Sequence, residues 1–373
     1  MEMNNMAIVK TLAKILDPNT GQDLITANMV TNLKIEGSNI QFTLELPKLD
    51  NEYKQQLNFA CQEALLEVFP NANIHIHMAG KGGQSQATAA DQPAKPVSPL
   101  PHVKNIIAVA SGKGGVGKST VATNLALGLK ALGATVGLLD ADLYGPSIPT
   151  MLGLKGQKPK ITQIHGQNKI VPLEAHGIHT LSIGFIIEPE QAVVLRGPRL
   201  GAVLKQFIQD TVWPALDYLI IDLPPGTGDV QLTLVQTVPL TGAVMVTTPQ
   251  EVAFADAVKA MNMFLLPNIN VPILGVVENM AWFTPAELPN NKYYIFGQGA
   301  GEQLAKESES RLLGQIPIVQ GIREAGDAGS PAVLNEEDAI TREAFLAMAK
   351  NVTQAVAFRN ENQEPTQTVQ MES

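Results

Sequence analysis

One short stretch, ASGKGGVGKST at residues 110–120, restricts the fold of this chain more than any other feature. It fits the pattern G-x-x-x-x-G-K-[ST], whose fixed positions are Gly112, Gly117, Lys118 and Ser119. An apolar segment, NIIAVA, precedes it, and a helix-like segment, STVATNLALGLKAL, overlaps its end. A strand, a glycine-rich loop and a helix in this order predict a phosphate-binding loop at the end of a strand in an α/β sheet.

The polar side chains of such a loop have separate tasks. Lys118 reaches the outer phosphates of a nucleotide, and the Ser119 hydroxyl binds Mg²⁺. Lys113 is not explained by this pattern, because Lys118 already supplies the lysine that the phosphates need. The residues that we expect to bind the nucleotide are Gly112, Lys113, Gly114, Gly115, Val116, Gly117, Lys118, Ser119 and Thr120.

After residue 101, apolar strand-like segments alternate with amphipathic helical segments. The predicted strands are 106–110, 135–139, 218–221, 243–247 and 273–277. Strands that are apolar throughout and separated by helices belong to a parallel sheet that is covered on both faces. We therefore predict an α/β fold with a mostly parallel sheet flanked by helices.

The first part of the chain reads as a small α+β domain. VTNLKIEG and NIQFTLELP alternate apolar and polar residues around a turn, as a hairpin does, and NIHIHM alternates again after a helical pattern over 51–69. A Gly-, Ala-, Gln- and Pro-rich stretch follows. The predicted organisation is a small domain over 1–79, a flexible linker over 80–101, a nucleotide-binding domain over 102–358 and a disordered tail over 359–373.

Charge and cysteine content exclude several classes of function. A formal net charge of −9 argues against a protein that coats nucleic acid, because such proteins neutralise phosphates with clustered Lys and Arg. We see no signal peptide and no apolar run near the roughly 18 residues that cross a bilayer, so we expect a cytoplasmic protein without membrane or nucleic-acid partners. Cys61 is the one cysteine, which excludes an intrachain disulfide and an all-cysteine metal site built from a single chain.

Three aspartates stand at the ends of predicted strands. Asp140 and Asp142 follow VGLL, and Asp222 follows YLII. Open α/β sheets bind ligands at the carboxyl ends of their strands, so these side chains are expected to surround the nucleotide. Asp222 fits the carboxylate that holds Mg²⁺ through its water shell.

GKGGVGKST resembles the deviant phosphate loop of the MinD/ParA/nitrogenase-iron-protein ATPases. The resemblance implies an ATP-sandwich homodimer in which Lys113 reaches the nucleotide of the partner subunit. It also implies that Asp142 positions or activates the attacking water, that Asp140 contacts the Mg²⁺ shell, and that Asn279 reads the adenine. The catalytic residues implied are Lys113, Lys118 and Asp142, and the Mg²⁺ residues are Ser119, Asp140 and Asp222.

Further stretches narrow the resemblance to the Mrp/ApbC iron–sulfur cluster carriers. They are LLDADLYGPSIP, VLRGPRLGAVLKQF, DYLIIDLPPGTGD, VVENMAWF and REAGDAGSPAV. The resemblance implies a homodimer that binds a labile iron–sulfur cluster, passes it to apoproteins, exchanges with assembly scaffolds and hydrolyses ATP slowly with Mg²⁺. The small first domain is similar to the one that precedes the ATPase in many bacterial members.

The chain departs from that family at the cluster ligands. Many members carry Cys-x-x-Cys shortly after the Asn-Met pair, where this chain has MAWFTPAELPNNKYYIFG. Cys61 is either a core residue of its helix or, with a second copy and outside thiols, a ligand of a [2Fe–2S] cluster. His75 and His77 either bind a metal or form a solvated strand face.

The segment that replaces the cysteines is rich in aromatic residues. We call residues 280–297 the aromatic segment; it either docks a client or packs on the domain beneath it. Two further functions stay open, a ParA/MinD-type positioning protein and an ATP-gated adaptor without its own cluster. The first is disfavoured because the C-terminal segment lacks a basic amphipathic stripe and the chain lacks a basic balance.

Overall fold

The computed structural model describes residues 5–18, 20–36, 39–46, 51–69, 72–80, 99–142, 145–164, 166–186, 197–285, 287–288 and 291–368. The chain divides into two compact units, Met1–Pro93 and Ala94–Ser373. Most of the predicted linker, residues 81–98, lies outside the described residues. The two units are therefore described one at a time.

The small unit is an α+β layer. Its elements are α1 (Asn5–Leu12), β1 (Val30–Glu36), β2 (Asn39–Leu46), α2 (Asn51–Val68) and β3 (Asn73–Gly80). β1 pairs with β2 antiparallel, and β2 pairs with β3 parallel. The predicted hairpin, helix and third strand are present, whereas α1 was not predicted. Its buried side chains complete a core that includes Cys61.

The large unit is built on a sheet with the strand order β13-β12-β11-β4-β10-β5-β9-β8. Its strands are β4 (Val103–Ser111), β5 (Val136–Asp140), β8 (Leu173–Ala175), β9 (Ile178–Ser182), β10 (Leu216–Asp222), β11 (Gly242–Thr247), β12 (Ile273–Phe283) and β13 (Leu312–Ile318). Neighbouring strands run parallel except for β8, which pairs antiparallel with β9. A separate hairpin joins β6 (Lys160–Ile164) to β7 (Gln167–Val171).

Helices flank this sheet, as predicted. They are α3 (Lys118–Ala131), α4 (Ile148–Met151), α5 (Gly197–Asp210), α6 (Asp229–Thr237), α7 (Glu251–Leu265), α8 (Ala300–Glu307), α9 (Gln320–Asp327) and α10 (Ala339–Asn362). α3 packs against α10, α5 against α6, and α7 against α8. None of the helices in the part of the chain that the structure describes has the length and hydropathy to cross a bilayer.

The last helix continues past the predicted boundary at residue 358 and ends at Asn362. Arg359 Nη2 donates to the carbonyl oxygen of Glu364 at 2.8 Å and to the hydroxyl of Thr366 at 2.6 Å. These bonds hold residues that the composition alone had assigned to a disordered tail. Residues 369–373 lie outside the described residues.

The strand order explains where a ligand site forms. The chain crosses from β4 to β5 on one side, and β10 is later inserted between them. Asp222 is consequently in register with Asp140 of β5 and with Val109 of β4. Three strand ends from distant parts of the sequence therefore meet under the glycine-rich loop.

Candidate functional site

The glycine-rich loop has the backbone that its sequence predicts. Gly115 and Gly117 adopt left-handed conformations, with φ of 82° and 78°, and α3 begins directly after Gly117. Gly112 lies against the backbone of α7, where a Cβ would collide with Asp256 and Ala257. Glycine is therefore required at each of these three positions, twice for conformation and once for space.

Lys118 is the centre of the site. It is 6% exposed, and its Nζ lies 2.6 Å from Asp222 Oδ1, 3.6 Å from Asp142 Oδ2 and 3.3 Å from Ser119 Oγ. Three side chains, Ser119 of the loop and Asp142 and Asp222 from two other motifs, are thus within contact of the Lys118 ammonium group.

Asp140 is held differently from the other two aspartates. Its Oδ1 accepts a hydrogen bond from the Asp142 backbone N–H at 3.1 Å, and its Oδ2 accepts one from the Ser182 hydroxyl at 2.7 Å. Complete burial and the neighbouring Asp222 raise the pKa of Asp140 to about 8. With both oxygens engaged inside the protein, Asp140 fixes the backbone of Asp142. The predicted contact of Asp140 with the Mg²⁺ shell stays a prediction.

Asp222 keeps one oxygen unused. Its Oδ2 is buried without a hydrogen-bond partner among the described residues, while Oδ1 is taken by Lys118. Burial raises the pKa of Asp222, and the adjacent ammonium opposes that rise. A buried acceptor without a donor is costly in a folded protein, and it is common where a cation or ligand completes the site.

The donor set suits Mg²⁺ bound together with a nucleotide. Within the described residues, no three His, Cys, Asp or Glu side chains form a metal-binding cluster. Mg²⁺ in nucleotide sites takes only one or two protein oxygens, because phosphates and waters fill the rest of its octahedron. The Ser119 hydroxyl and the free oxygen of Asp222 supply such hard oxygen ligands.

Lys113 lines the same cavity as the phosphate loop. That cavity has a volume of about 210 Å³ and is also bordered by Asp142 and Pro225. Lys113 is half-buried, and its carbonyl oxygen accepts a bond from the Ser111 hydroxyl at 3.1 Å. Within the described residues, no ion pair of the Lys113 ammonium is present, in contrast to Lys118.

Asn279 contacts the loop from the other side. Its Nδ2 donates to the Val116 carbonyl oxygen at 2.8 Å. A second cavity of about 470 Å³ adjoins it and is lined by apolar side chains of Met151, Met280, Ile318 and Ile322. The two cavities share the lining residues Gly117, Thr120, Ser147 and Met151, so they adjoin each other.

Two residues of the site were missed by the sequence analysis. Ser182 ends β9, a strand that was not predicted, and Gln231 donates through Nε2 to the carbonyl oxygens of Pro224 and Gly226 at 2.8 and 3.0 Å. Ser182 joins β9 to Asp140 of the neighbouring strand β5, and Gln231 closes the turn that follows Asp222.

Cys61 and the histidines stand apart from this site. Cys61 is fully buried in the small unit, and burial raises the pKa of its thiol to about 12. It is therefore the core residue of the two alternatives, since a cluster ligand must be an accessible thiolate. His75 and His77 lie in β3, but their side chains are outside the described residues.

The aromatic segment is partly packed and partly exposed. Lys292 Nζ lies 3.8 Å from the centroid of the Trp282 ring. Phe283 and Tyr293 exchange two backbone hydrogen bonds of 2.8 Å, which close the base of the loop. Tyr293, Tyr294 and Ile295 are 45%, 47% and 60% exposed. Some aromatic rings of the segment are therefore packed and others are exposed to solvent, so neither packing on the domain nor docking of a client is excluded.

A larger cavity, about 1060 Å³, lies elsewhere, between the ends of α7 and α8 and residues 363–368. Arg359 borders it. None of the loop residues does, so its size carries no weight for the nucleotide site.

Comparison with known proteins decides the family. The model of the ParA family, described as NUBPL iron-transfer P-loop NTPase, matches residues 102–353. The chain belongs to this family. A second model, described as iron-sulfur cluster assembly protein, matches residues 5–76, which correspond to the small unit.

Relatives of similar length carry matching names. An iron-sulfur cluster carrier protein of Synechocystis sp. is 41% identical over 352 residues, which cover 94% of this chain and 98% of the relative. One of Haemophilus influenzae is 44% identical over 336 residues, covering 90% and 88%. The iron-sulfur cluster transfer protein NUBPL of Dictyostelium discoideum is 40% identical over 318 residues, covering 84% and 94%.

Solved structures agree on the fold. A nucleotide-binding protein of Archaeoglobus fulgidus in complex with ADP is 36% identical, with a TM-score of 0.56, and the match covers 66% of this chain and 93% of that one. The septum site-determining protein MinD of Pyrococcus horikoshii, in complex with Mg-ADP, is 22% identical with a TM-score of 0.51 over 68% and 98%. The second likeness shows the fold alone. The P-loop NTPase fold predicted from the sequence is therefore confirmed.

Proposed function

We propose that this protein is a slow, Mg²⁺-dependent ATPase that works as a homodimer in the cytoplasm and delivers iron–sulfur clusters to apoproteins. The observation that carries the proposal is the convergence of Lys118, Asp142 and Asp222 beneath the loop, in a chain of an iron-transfer NTPase family.

The two adjoining cavities suit the triphosphate and the base of ATP. The triphosphate would lie in the 210 Å³ cavity against the loop N–H groups, with its outer phosphates replacing the carboxylates as partners of Lys118. The base would lie in the apolar 470 Å³ cavity, where Asn279 already borders the loop. Ser119 and Asp222 would hold Mg²⁺, which when bound neutralises charge on the phosphates.

In this proposal Asp142 acts on the attacking water. Its backbone is fixed by Asp140, and its carboxylate faces the ammonium of Lys118. In hydrolysis a water oxygen bonds to the γ-phosphorus, the bond from that phosphorus to the bridging oxygen breaks, and the water proton passes to Asp142 or to a phosphate oxygen. ADP and inorganic phosphate are the products.

Lys113 completes the reaction across the dimer in this proposal. Charge shifts towards the bridging oxygen in the transition state, and a second ammonium there lowers the barrier in the manner of an arginine finger. The half-buried loop position of Lys113 and its freedom from ion pairs within the described residues leave its side chain available for a second copy of the chain.

The cargo site is where this chain differs from relatives with paired cysteines. Cys61 is buried as a thiol, so we propose that cluster ligands come from outside, from glutathione or from the client. The same observation supports a second candidate, an ATP-gated adaptor that docks apoproteins through the exposed aromatic segment and never holds a cluster.

Iron and acid-labile sulfide separate the two candidates. Both should be measured per chain in protein purified without oxygen, with glutathione present, for wild type and Cys61→Ser. A carrier with outside ligands holds equal and stoichiometric amounts in both proteins. Absence of iron and sulfide from both favours the adaptor. Loss in Cys61→Ser alone contradicts the assignment of Cys61 to the core.

A further inference from the structure

Glu278 is a buried carboxylate that the hydrolysis steps do not use. It lies within β12 and is fully buried. Its Oε1 accepts a hydrogen bond from the Gly301 backbone N–H at 2.9 Å, and its Oε2 accepts one from Gln315 Nε2 at 2.6 Å. Both carboxyl oxygens are therefore engaged, one by the first turn of α8 and one by β13.

The residues that follow Glu278 reach the nucleotide cavities. Asn279 donates to the Val116 carbonyl oxygen of the phosphate loop. Met280 lines the apolar cavity and has a left-handed backbone, with φ of 56°, which non-glycine residues adopt at a cost in free energy. Strain of this kind persists where neighbouring contacts fix the backbone, and Glu278, two residues earlier in the strand, is held by two hydrogen bonds.

The aromatic segment begins two residues after Glu278 and ends four residues before Gly301, which donates to the same carboxylate. It leaves β12 through Trp282 and Phe283, and the chain returns to Gly301 at the start of α8. Gly301 is so close that a Cβ there would lie 2.7 Å from the Cβ of Glu278. The strand that approaches the phosphate loop and the helix that follows the aromatic segment are thus joined by one side chain.

We propose that Glu278 is a positioning residue that couples nucleotide binding to the conformation of the aromatic segment. The inference rests on the proposed function, because it requires a nucleotide beside Asn279. A shift of the loop at Val116 moves Asn279, and the hydrogen bonds of Glu278 pass that movement to Gly301 and to β13. The exposed surface of the segment then differs between nucleotide states.

Two substitutions separate the hydrogen bonds from the side-chain volume. Glu278→Met keeps most of the volume and removes both bonds. Glu278→Gln keeps both, since its oxygen still accepts from Gly301 and the Gln315 amide can turn to accept from the new amide N–H. Glu302→Met is the matched control, because Glu302 is exposed in the first turn of the same helix.

Trp282 is a reporter inside the segment. The chain has two tryptophans, so protein labelled with 5-fluorotryptophan gives two ¹⁹F resonances, and Trp282→Phe assigns them. The measurement compares each variant alone, with Mg-ADP and with a non-hydrolysable Mg-ATP analogue. Calorimetry on the same samples gives the nucleotide Kd, and a steady-state assay gives kcat and KM.

In wild type the Trp282 resonance should move between the two nucleotide states. Glu278→Met should reduce that movement at saturation at least about fivefold and weaken nucleotide binding about tenfold, with kcat changed less than about threefold. Glu278→Gln and Glu302→Met should behave as wild type. Such a pattern is not expected of a residue that only stabilises the fold, because the conservative variant restores the signal.

The inference is overturned if folded Glu278→Met retains the full movement, or if wild-type Trp282 ignores nucleotide that calorimetry shows to be bound. If Glu278→Met does not fold, Gln315→Met, which removes one bond, should at least halve the movement, and an unchanged movement overturns the inference. A wild type that binds no nucleotide instead contradicts the proposed function.

Discussion

At each end of β10 an aspartate pairs with a lysine of another element, Lys104 of β4 or Lys118 of α3, and the two pairs are built differently. At its start, Lys104 lies 2.8 Å from Asp217, and the lysine side chain is 76% exposed. At its end, Lys118 lies 2.6 Å from Asp222, and these side chains are 6% and 0% exposed. We call the side of the sheet where the parallel strands start the amino edge and the side where they end the carboxyl edge. Lysine–aspartate contacts of similar length therefore lie in opposite environments at these two edges.

The difference shows how a fold separates structure from function. Asp217 also accepts bonds from the Thr135 N–H and hydroxyl at 2.8 Å, so it ties β4 and the start of β5 to β10. The hydrogen bond from Lys104 and those from Thr135 lower the pKa of Asp217 to about 2. Asp222 instead has an unused oxygen and a raised pKa. At the amino edge the hydrogen bonds of Asp217 hold the strands together, and at the carboxyl edge the unused oxygen of Asp222 is available to a ligand.

Among substitutions at the carboxyl edge, Lys113→Ala should cause the largest fall in kcat. If its ammonium acts on the nucleotide of a second copy, kcat should fall about 10³-fold while the Kd for ATP changes less than about threefold. The check is steady-state hydrolysis with calorimetry of Mg-ATP, and Lys104→Ala is the control from the amino edge. Full-rate hydrolysis by Lys113→Ala breaks the model of a lysine acting across the dimer.

Asp142→Asn should slow hydrolysis and keep ATP bound. Removal of the carboxylate that acts on water should lower kcat about 10²-fold or more and trap the ATP-bound dimer. Light scattering coupled to size exclusion should then give twice the monomer mass with Mg-ATP. A monomer under those conditions counts against the sandwich.

Asp217→Asn should affect stability and leave chemistry intact. It weakens charge-assisted bonds at a partly screened site, so the free energy of unfolding of the large unit should fall by about 1 kcal/mol. Urea denaturation measures this fall, and hydrolysis at 25 °C should equal that of wild type. A loss of hydrolysis without a loss of stability would remove the distinction between the two edges.

Acid should remove the difference in the free energy of unfolding between wild type and Asp217→Asn. The pKa of Asp217 is lowered from 3.8 to about 2 in the folded state, so its contribution is fully present above the unfolded value and disappears as pH falls through the folded one. Wild type and Asp217→Asn should therefore differ at pH 6 and converge as pH falls from about 4 to 2. A difference that is undiminished at pH 2 assigns the effect to packing.

The residues that the structure brings together around Lys118 could be named from the sequence because they belong to local motifs. The loop, Asp142 and Asp222 each follow an apolar strand, and parallel topology brings strand ends together. Asp217, Ser182 and Glu278 were not found, since their partners come from segments distant in sequence and no local spacing marks them. The hairpin of β6 and β7 was missed because both strands are exposed or half-buried and lack a buried face. The end of α10 was misplaced because Arg359 binds residues beyond it.

The central claim is that the carboxyl edge of the large sheet binds the nucleotide through Lys118. Calorimetric titration of Mg-ATP into wild type, Lys118→Ala and Lys104→Ala tests it most directly, since the two variants remove the lysine at opposite ends of β10. We predict micromolar binding by wild type and Lys104→Ala and a Kd at least about 10²-fold weaker for Lys118→Ala. Equal affinity in all three proteins would contradict the account.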